Sequence, residues 1–218
     1  RDQILALIKN KQIYSYKRSI NDQIQPASLD LTLSKKCYRI KASFIPNNIK
    51  ISKVIEDLSL TKIDLSQNTL LEKNCIYLCE LNERLKLPYD IMGKSNPKST
   101  TGRLDIFTRV ITENGKEYDL VNKNYKGKLY LEIIPQSFSI IVRKNTSLNQ
   151  IRFFRGLDSE RKIKQIKLSV SIKKNKITAY KAKKITSAID LNKINYYKSS
   201  KYWEKIIPED NYFIIEKD

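Results

Sequence analysis

The chain has 218 residues, 40% of them hydrophobic, enough for one sizeable domain and a small appendage. Its formal net charge is +19 and it contains no histidine, which excludes Ser-His-Asp and Cys-His nucleophiles and the His-x-Glu, Pro-Cys-x-x-Cys zinc signature. No apolar run of about 18 residues is present, so no transmembrane helix is expected, and three cysteines, Cys37, Cys75 and Cys79, suit a reducing cytoplasm better than a disulfide scaffold.

Residues 1–9 read as a short amphipathic helix, too short and too charged for a signal peptide. After Pro26 the chain becomes a series of short β-like segments. Residues 29–33 and 37–40 alternate apolar and polar side chains, as do 64–71 in part. Residues 75–81 and 128–134 are more continuously apolar, and 139–142, 150–154 and 166–172 continue the pattern. Residues 54–60 read as a short helix. The fold class expected is mainly β, a distorted barrel with a short N-terminal helix and minor helical segments. Gly156 closes this region, and 157–162 is a charged connection. The domain division expected is 1–156, then a basic C-terminal extension over 157–218. Within that extension 167–179 reads as a hairpin turning at Lys174-Asn175. Residues 211–215 faintly echo 74–78, as the start of a second, incomplete unit would.

The positive charge raises the question of nucleic acid. Lys, Ile and Asn are all heavily used, and the lysines are spread along the chain, although 161–184 is denser. Nucleic-acid binding is therefore the weaker reading, and a polyanionic small molecule such as a nucleotide fits the charge equally well.

Four of the five glycines, Gly93, Gly102, Gly115 and Gly127, fall in one window. Glycine serves where backbone bends sharply or approaches a ligand closely. Within that window, Pro97-Lys98-Ser99-Thr100-Thr101-Gly102-Arg103 reads as a hydroxyl-rich loop bracketed by cations, suited to holding phosphates. It lacks the order of a Walker loop, and taken alone it also reads as a solvated turn. In Leu129-Tyr130-Leu131-Glu132-Ile133-Ile134 one carboxylate interrupts an apolar strand. Burial would raise its pKa and suit it to proton transfer; the plain alternative is an outward-facing strand residue. In Gln25-Pro26-Ala27-Ser28-Leu29-Asp30, Ser28 and Asp30 follow a proline turn and serve local hydrogen bonds. Cys75 and Cys79 share a strand face, but no further Cys or His completes a metal set.

Taken in order, Gln-Pro-Ala-Ser-x-Asp-x-x-Leu, then Lys-Ser-x-x-x-Arg, then Asp119 leading to Gly127-x-Leu-x-Leu-Glu, then Leu148-Asn149-Gln150-Ile151, the chain resembles the dCTP deaminase branch of the dUTPase-like superfamily over about residues 23–154. It is most similar to the first unit of the long, two-unit form. The resemblance implies a dUTPase-like barrel, a homotrimer with sites between subunits, and zinc-free deamination of dCTP to dUTP in the cytoplasm, with Mg2+ accompanying the triphosphate. By position, Glu132 would accept and return the proton of the attacking water. Ser99 would hold that water and Arg103 would orient the charged groups. Lys98, Thr100, Thr101 and Gly102 would line the nucleotide site. Asp119 would contact the deoxyribose, and Tyr130, Leu131 and Gln150 would lie beside base and sugar. Lys98 stands where many relatives have Arg, 119–127 is longer than the usual turn, and no counterpart of the C-terminal triphosphate clamp follows Gln150. Two other readings stay open: a dUTP pyrophosphatase or bifunctional enzyme, from Asp119 and Tyr125-Lys126-Gly127, and a nucleotide-binding unit without turnover.

Overall fold

The computed structural model describes residues 1–15, 20–155 and 172–209. They fall in two compact units: Arg1–Leu157 with Ala188–Asn192, and Asp158–Ser187 with Lys193–Asp218.

The first unit opens with α1 (Asp2–Lys9), as its amphipathic pattern predicts. Ile4 and Leu7, three apart, turn one face inward. There follow β1 (Ile13–Ser15), β2 (Leu29–Ile40), α2 (Ile51–Leu58), β3 (Ser59–Asp64), β4 (Thr69–Leu71), β5 (Ile76–Lys86), β6 (Ile91–Pro97), α3 (Ser99–Arg103), β7 (Ile106–Thr112), β8 (Leu120–Val121), β9 (Lys126–Pro135), β10 (Ile140–Val142) and β11 (Ser147–Arg155). The second unit holds β12 (Ala179–Ala182), and β13 (Ile189–Asp190) returns to the first. β14 (Trp203–Ile206) pairs antiparallel with β12.

The mainly β, barrel-like fold expected from the sequence is the one formed. Nine strands make one sheet in the order β7-β9-β5-β2-β11-β6-β8, with β1 added on β5 and β3 on β2. A second sheet runs β13-β10-β4. The two ends of the large sheet, β7 and β8, come together around Asp119. Its backbone N–H donates to the Val110 carbonyl at 2.9 Å, and its carbonyl accepts from the Ser95 N–H at 2.9 Å. The barrel is thus nearly closed.

Alternation decides which side chains enter the core. On β9, Leu129, Leu131 and Ile133 face the main core with Leu31, Leu33, Leu81 and Ile151. Tyr130 faces the other way, into a smaller cluster with Ile40, Ile51, Leu78 and Ile111, against which Ile55 and Leu58 of α2 pack.

Several local expectations change. Segments 29–33 and 37–40 are one strand of 12 residues with an irregularity in its pairing, not two. The short helix begins and ends earlier than 54–60, at Ile51–Leu58, because Ser59 onward pairs with β2. Strands β6, β7 and β8, which the sequence reading did not assign, meet where the barrel closes. The loop expected at 97–103 is a helical turn over Ser99–Arg103, with Gly102 N–H bonded to the Lys98 carbonyl at 3.0 Å. Cys79 is paired in register with Cys37 inside the core, and burial first, then the Cys37 thiol, pushes its thiol pKa up. Cys75 lies before the strand, and its sulfur accepts from Arg39 at 3.0 Å. The turn at Lys174-Asn175 is present, with Asn175 at φ 56°, but the strand after it pairs with β14. The segments 157–162, 166–171 and 211–215 lie outside the described residues.

Candidate active site

Glu132 sits on β9 directly opposite Arg109 of β7. Its neighbours Leu131 and Ile133 are drawn into the core, so Glu132 takes the opposite face with Tyr130, where the cluster around α2 covers it. The residue is 0% exposed. Arg109 Nε and Nη2 both donate to Oε1, at 2.9 and 2.6 Å. Oε2 is buried and has no hydrogen-bond partner among the described residues. The guanidinium lies 3.7 Å from the Tyr118 ring centroid and 4.9 Å from that of Phe107, a cation held between aromatic faces. One carboxylate is therefore fixed through one oxygen, with the other buried and without a hydrogen-bond partner among the described residues.

Asp119 lies beside this pair. Its φ is 61°, a left-handed conformation that Asp tolerates better than most residues. Oδ1 accepts from Ser95 Oγ at 2.6 Å and from the Val110 N–H at 2.8 Å. Burial raises its pKa; the bonds from Ser95 and Val110 and the charge of Arg109 oppose that rise. Tyr130 is buried and donates to Glu113 Oε1 at 3.1 Å; burial first, then the Glu113 carboxylate, pushes its phenol up. Leu131 turns its side chain into the main core, so only its backbone shares the surroundings of Glu132.

The remaining expected residues gather in a second group. The Lys98 ammonium is ion-paired with the Asp30 carboxylate, which also accepts from Gln25 Nε2 at 3.4 Å. Gln150 sits opposite Asp30 in the β11–β2 ladder and accepts from Ser28 Oγ at 2.7 Å. The Gln25–Asp30 segment and the Lys98–Arg103 segment, far apart in sequence, are thus joined. Thr101 anchors α3, donating to the Leu148 carbonyl at 2.7 Å. Ser99, Thr100, Gly102 and Arg103 are exposed. Among the described residues, no hydrogen bond or ion pair links Ser99 or Arg103 to Glu132.

Sequence reasoning missed Arg109 and Tyr118. The signal for Arg109 was present: in Ile106-Phe107-Thr108-Arg109-Val110-Ile111 a charge interrupts an apolar run, as Glu132 does in its own. Two opposite charges in two apolar strands invite pairing, because neither is buried alone at tolerable cost.

A nearly closed β-barrel with a partnered carboxylate under a secondary core, and a hydroxyl- and cation-bearing turn at its surface, is the frame that the ordered motifs imply. Residues 1–157 match the model of the 2'-deoxycytidine 5'-triphosphate deaminase N-terminal domain, and residues 143–218 that of the C-terminal domain. The chain belongs to the dCTP deaminase family. The crystal structure of 2'-deoxycytidine 5'-triphosphate deaminase from Agrobacterium tumefaciens superposes with a TM-score of 0.86 at 37% identity, covering 95% of this chain and 67% of that one. A dCTP deaminase from Halorubrum lacusprofundi is 25% identical over 116 residues, 52% of this chain and 54% of its own length. The match thus spans about half of that curated relative. No helix among the described residues is long and apolar enough to cross a membrane.

Proposed function

We propose that this chain deaminates dCTP to dUTP and ammonia. The observation that carries the reading is the buried Glu132, held through one oxygen by Arg109 and unpartnered at the other among the described residues. Water adds to C4 of the cytosine ring, the C4–N4 bond breaks, and the amine leaves as ammonia. The unpartnered oxygen of Glu132 takes a proton from the water and delivers it to the departing nitrogen. Arg109 keeps the carboxylate in place for both transfers.

Ser99 and Arg103 are exposed and, among the described residues, make no hydrogen bond or ion pair with Glu132 of the same chain, which suits a site completed between copies, with a homotrimer as the assembly. In that arrangement Ser99 holds the water, Arg103 orients charge, and Lys98, Thr100, Thr101 and Gly102 face the triphosphate. Asp119 keeps Oδ2 for the deoxyribose while Oδ1 serves the barrel. Tyr130, Leu131 through its backbone, and Gln150 border the nucleotide. In this reading Mg2+ arrives on the triphosphate as part of the substrate. The hydroxyl of Tyr125 is taken up by the Lys128 carbonyl and the Glu113 N–H, so it gives no support to the pyrophosphatase alternative.

The test is single-turnover ammonia release beside calorimetric dCTP binding for Glu132→Gln. The expected result is a rate lower by about 10²–10⁴, the usual contribution of a positioned general acid–base, with dCTP binding kept. A Gln variant deaminating near the parent rate defeats the mechanism.

A further inference from the structure

A cavity of ≈ 580 Å³ lies at the far end of β9 from Glu132, between β1, β5 and the start of β9. Among the described residues four cations line it: Arg84, Lys86, Lys126 and Lys128. The ladder puts Arg84 opposite Lys128 and Lys86 opposite Lys126, and on the other side Tyr14 opposite Arg84. Leu85 and Leu129 turn into the core, which sends their neighbours to the opposite face. Two like-charged cross-strand pairs are therefore stacked on one face, an arrangement that weakens a sheet unless something anionic relieves it.

The protein itself supplies little relief. Glu80 reaches Lys128 at 3.0 Å and Arg84 at 4.0 Å, and it is shared with Lys36 at 3.9 Å. Lys86 and Lys126 have no carboxylate within ion-pair distance among the described residues, and both are exposed. Among the described residues Glu80 is thus shared by three cations, with Lys86 and Lys126 beside them. With a net charge of +19, a second copy of this chain is a poor anionic cover. A concave space of this size is in the range that holds a small molecule, which favours a compact polyanion over a nucleic-acid duplex.

We propose that Arg84, Lys86, Lys126 and Lys128 form a binding site for the phosphates of a small polyanion, with the Tyr14 ring at its rim. The site is separate from the candidate active site. Lys128 and Glu132 are four residues apart on β9, roughly 13 Å along a strand, and the buried Tyr130 stands between them. The ligand chemistry is an oligophosphate, free or as the triphosphate of a nucleotide.

The experiment titrates inorganic tripolyphosphate, dCTP and deoxycytidine into the wild type, the Lys86→Gln/Lys126→Gln double variant and Lys98→Gln. The double variant is expected to weaken tripolyphosphate binding at this site at least tenfold, and Lys98→Gln to leave it unchanged. The two single variants, each expected to cost threefold or more, carry the same decision if the double variant folds poorly. dCTP binding here more tightly than tripolyphosphate makes the source a nucleotide; equal affinities make it the phosphates alone. Tripolyphosphate isotherms that coincide for the wild type and the Lys86 and Lys126 variants overturn the proposal. Deamination measured in parallel is expected to persist in the double variant, so this outcome and that of Glu132→Gln are read independently.

Discussion

Two buried carboxylates lie on adjacent strands of this barrel and are satisfied in opposite ways. Glu83 on β5 accepts from Gln23 Nε2 at 2.7 Å, Thr32 Oγ1 at 2.7 Å and the Thr32 N–H at 2.9 Å. Both of its oxygens are occupied, all its donors are neutral, and burial raises its pKa. Glu132 on β9 meets a cation through one oxygen and, among the described residues, nothing through the other. Both residues are 0% exposed, so burial alone does not distinguish them. The saturated carboxylate ties β5 to β2 and to the turn at Gln23; the half-satisfied one has capacity left for a substrate. A buried acid becomes a candidate for chemistry when its partner list is incomplete on one side.

The largest expected effect comes from removing the cation. Arg109→Met leaves Glu132 buried and unpaired. The expected loss is about 3 kcal/mol, the lower end for a broken buried pair, because the Arg109 side chain keeps 23% of its exposure. Urea denaturation measures it, and adding Glu132→Gln should recover most of the loss. Equal instability of the single and double variants would show that the aromatic stacking, not the ion pair, matters.

Glu83 sharpens the contrast through pH. Glu83→Gln should cost about 1–3 kcal/mol at pH 4, because its donors lose an acceptor. A raised native pKa gives stability that is present below the ordinary carboxylate range and is lost as pH rises through the native value. The wild type carries that penalty and the amide does not, so the deficit should shrink between pH 4 and pH 7. Chemical denaturation across that range decides it; a widening deficit would mean that the site favours the charged form.

The smallest effect is expected at the surface turn. A Cβ on Gly102 would meet nothing within 4 Å, so Gly102→Ala should change stability by no more than about 0.5 kcal/mol. If nucleotide or a neighbouring copy approaches there, turnover falls while Tm stays. A drop in Tm of several degrees would mean that the turn is not open.

The barrel was legible because several of its strands, such as those at 29–33, 75–81 and 128–134, alternate or run apolar, although β6 and β7 do not announce themselves in this way. Glu132 was legible as an exception inside such a run. Arg109 carries the same signal but was passed over, because 106–112 was not assigned as a strand and a charge in an unassigned segment looks like surface. Lys98 illustrates a different limit. Its pairing with Asp30 depends on β11 bringing residues 68 positions apart together, and local sequence cannot express that. The glycines misled in part. Gly93 does face a tight contact, with a Cβ there 2.7 Å from Ile151 Cδ1, whereas Gly102 stands in open space. A glycine marks freedom of backbone, and only packing says whether the freedom is used.

The closure at Asp119 has a kinetic consequence. Where β7 meets β8, the side chain of Asp119 replaces the carbonyl that a continuous ladder would present to the Val110 N–H. A seam of so few bonds is where native-state hydrogen exchange should enter first, with the amides of Ser95, Val110 and Asp119 exchanging before those of β5 and β9. Anything that grips Asp119 from outside would slow those same amides, making their protection a direct clock for occupancy at the edge of the barrel.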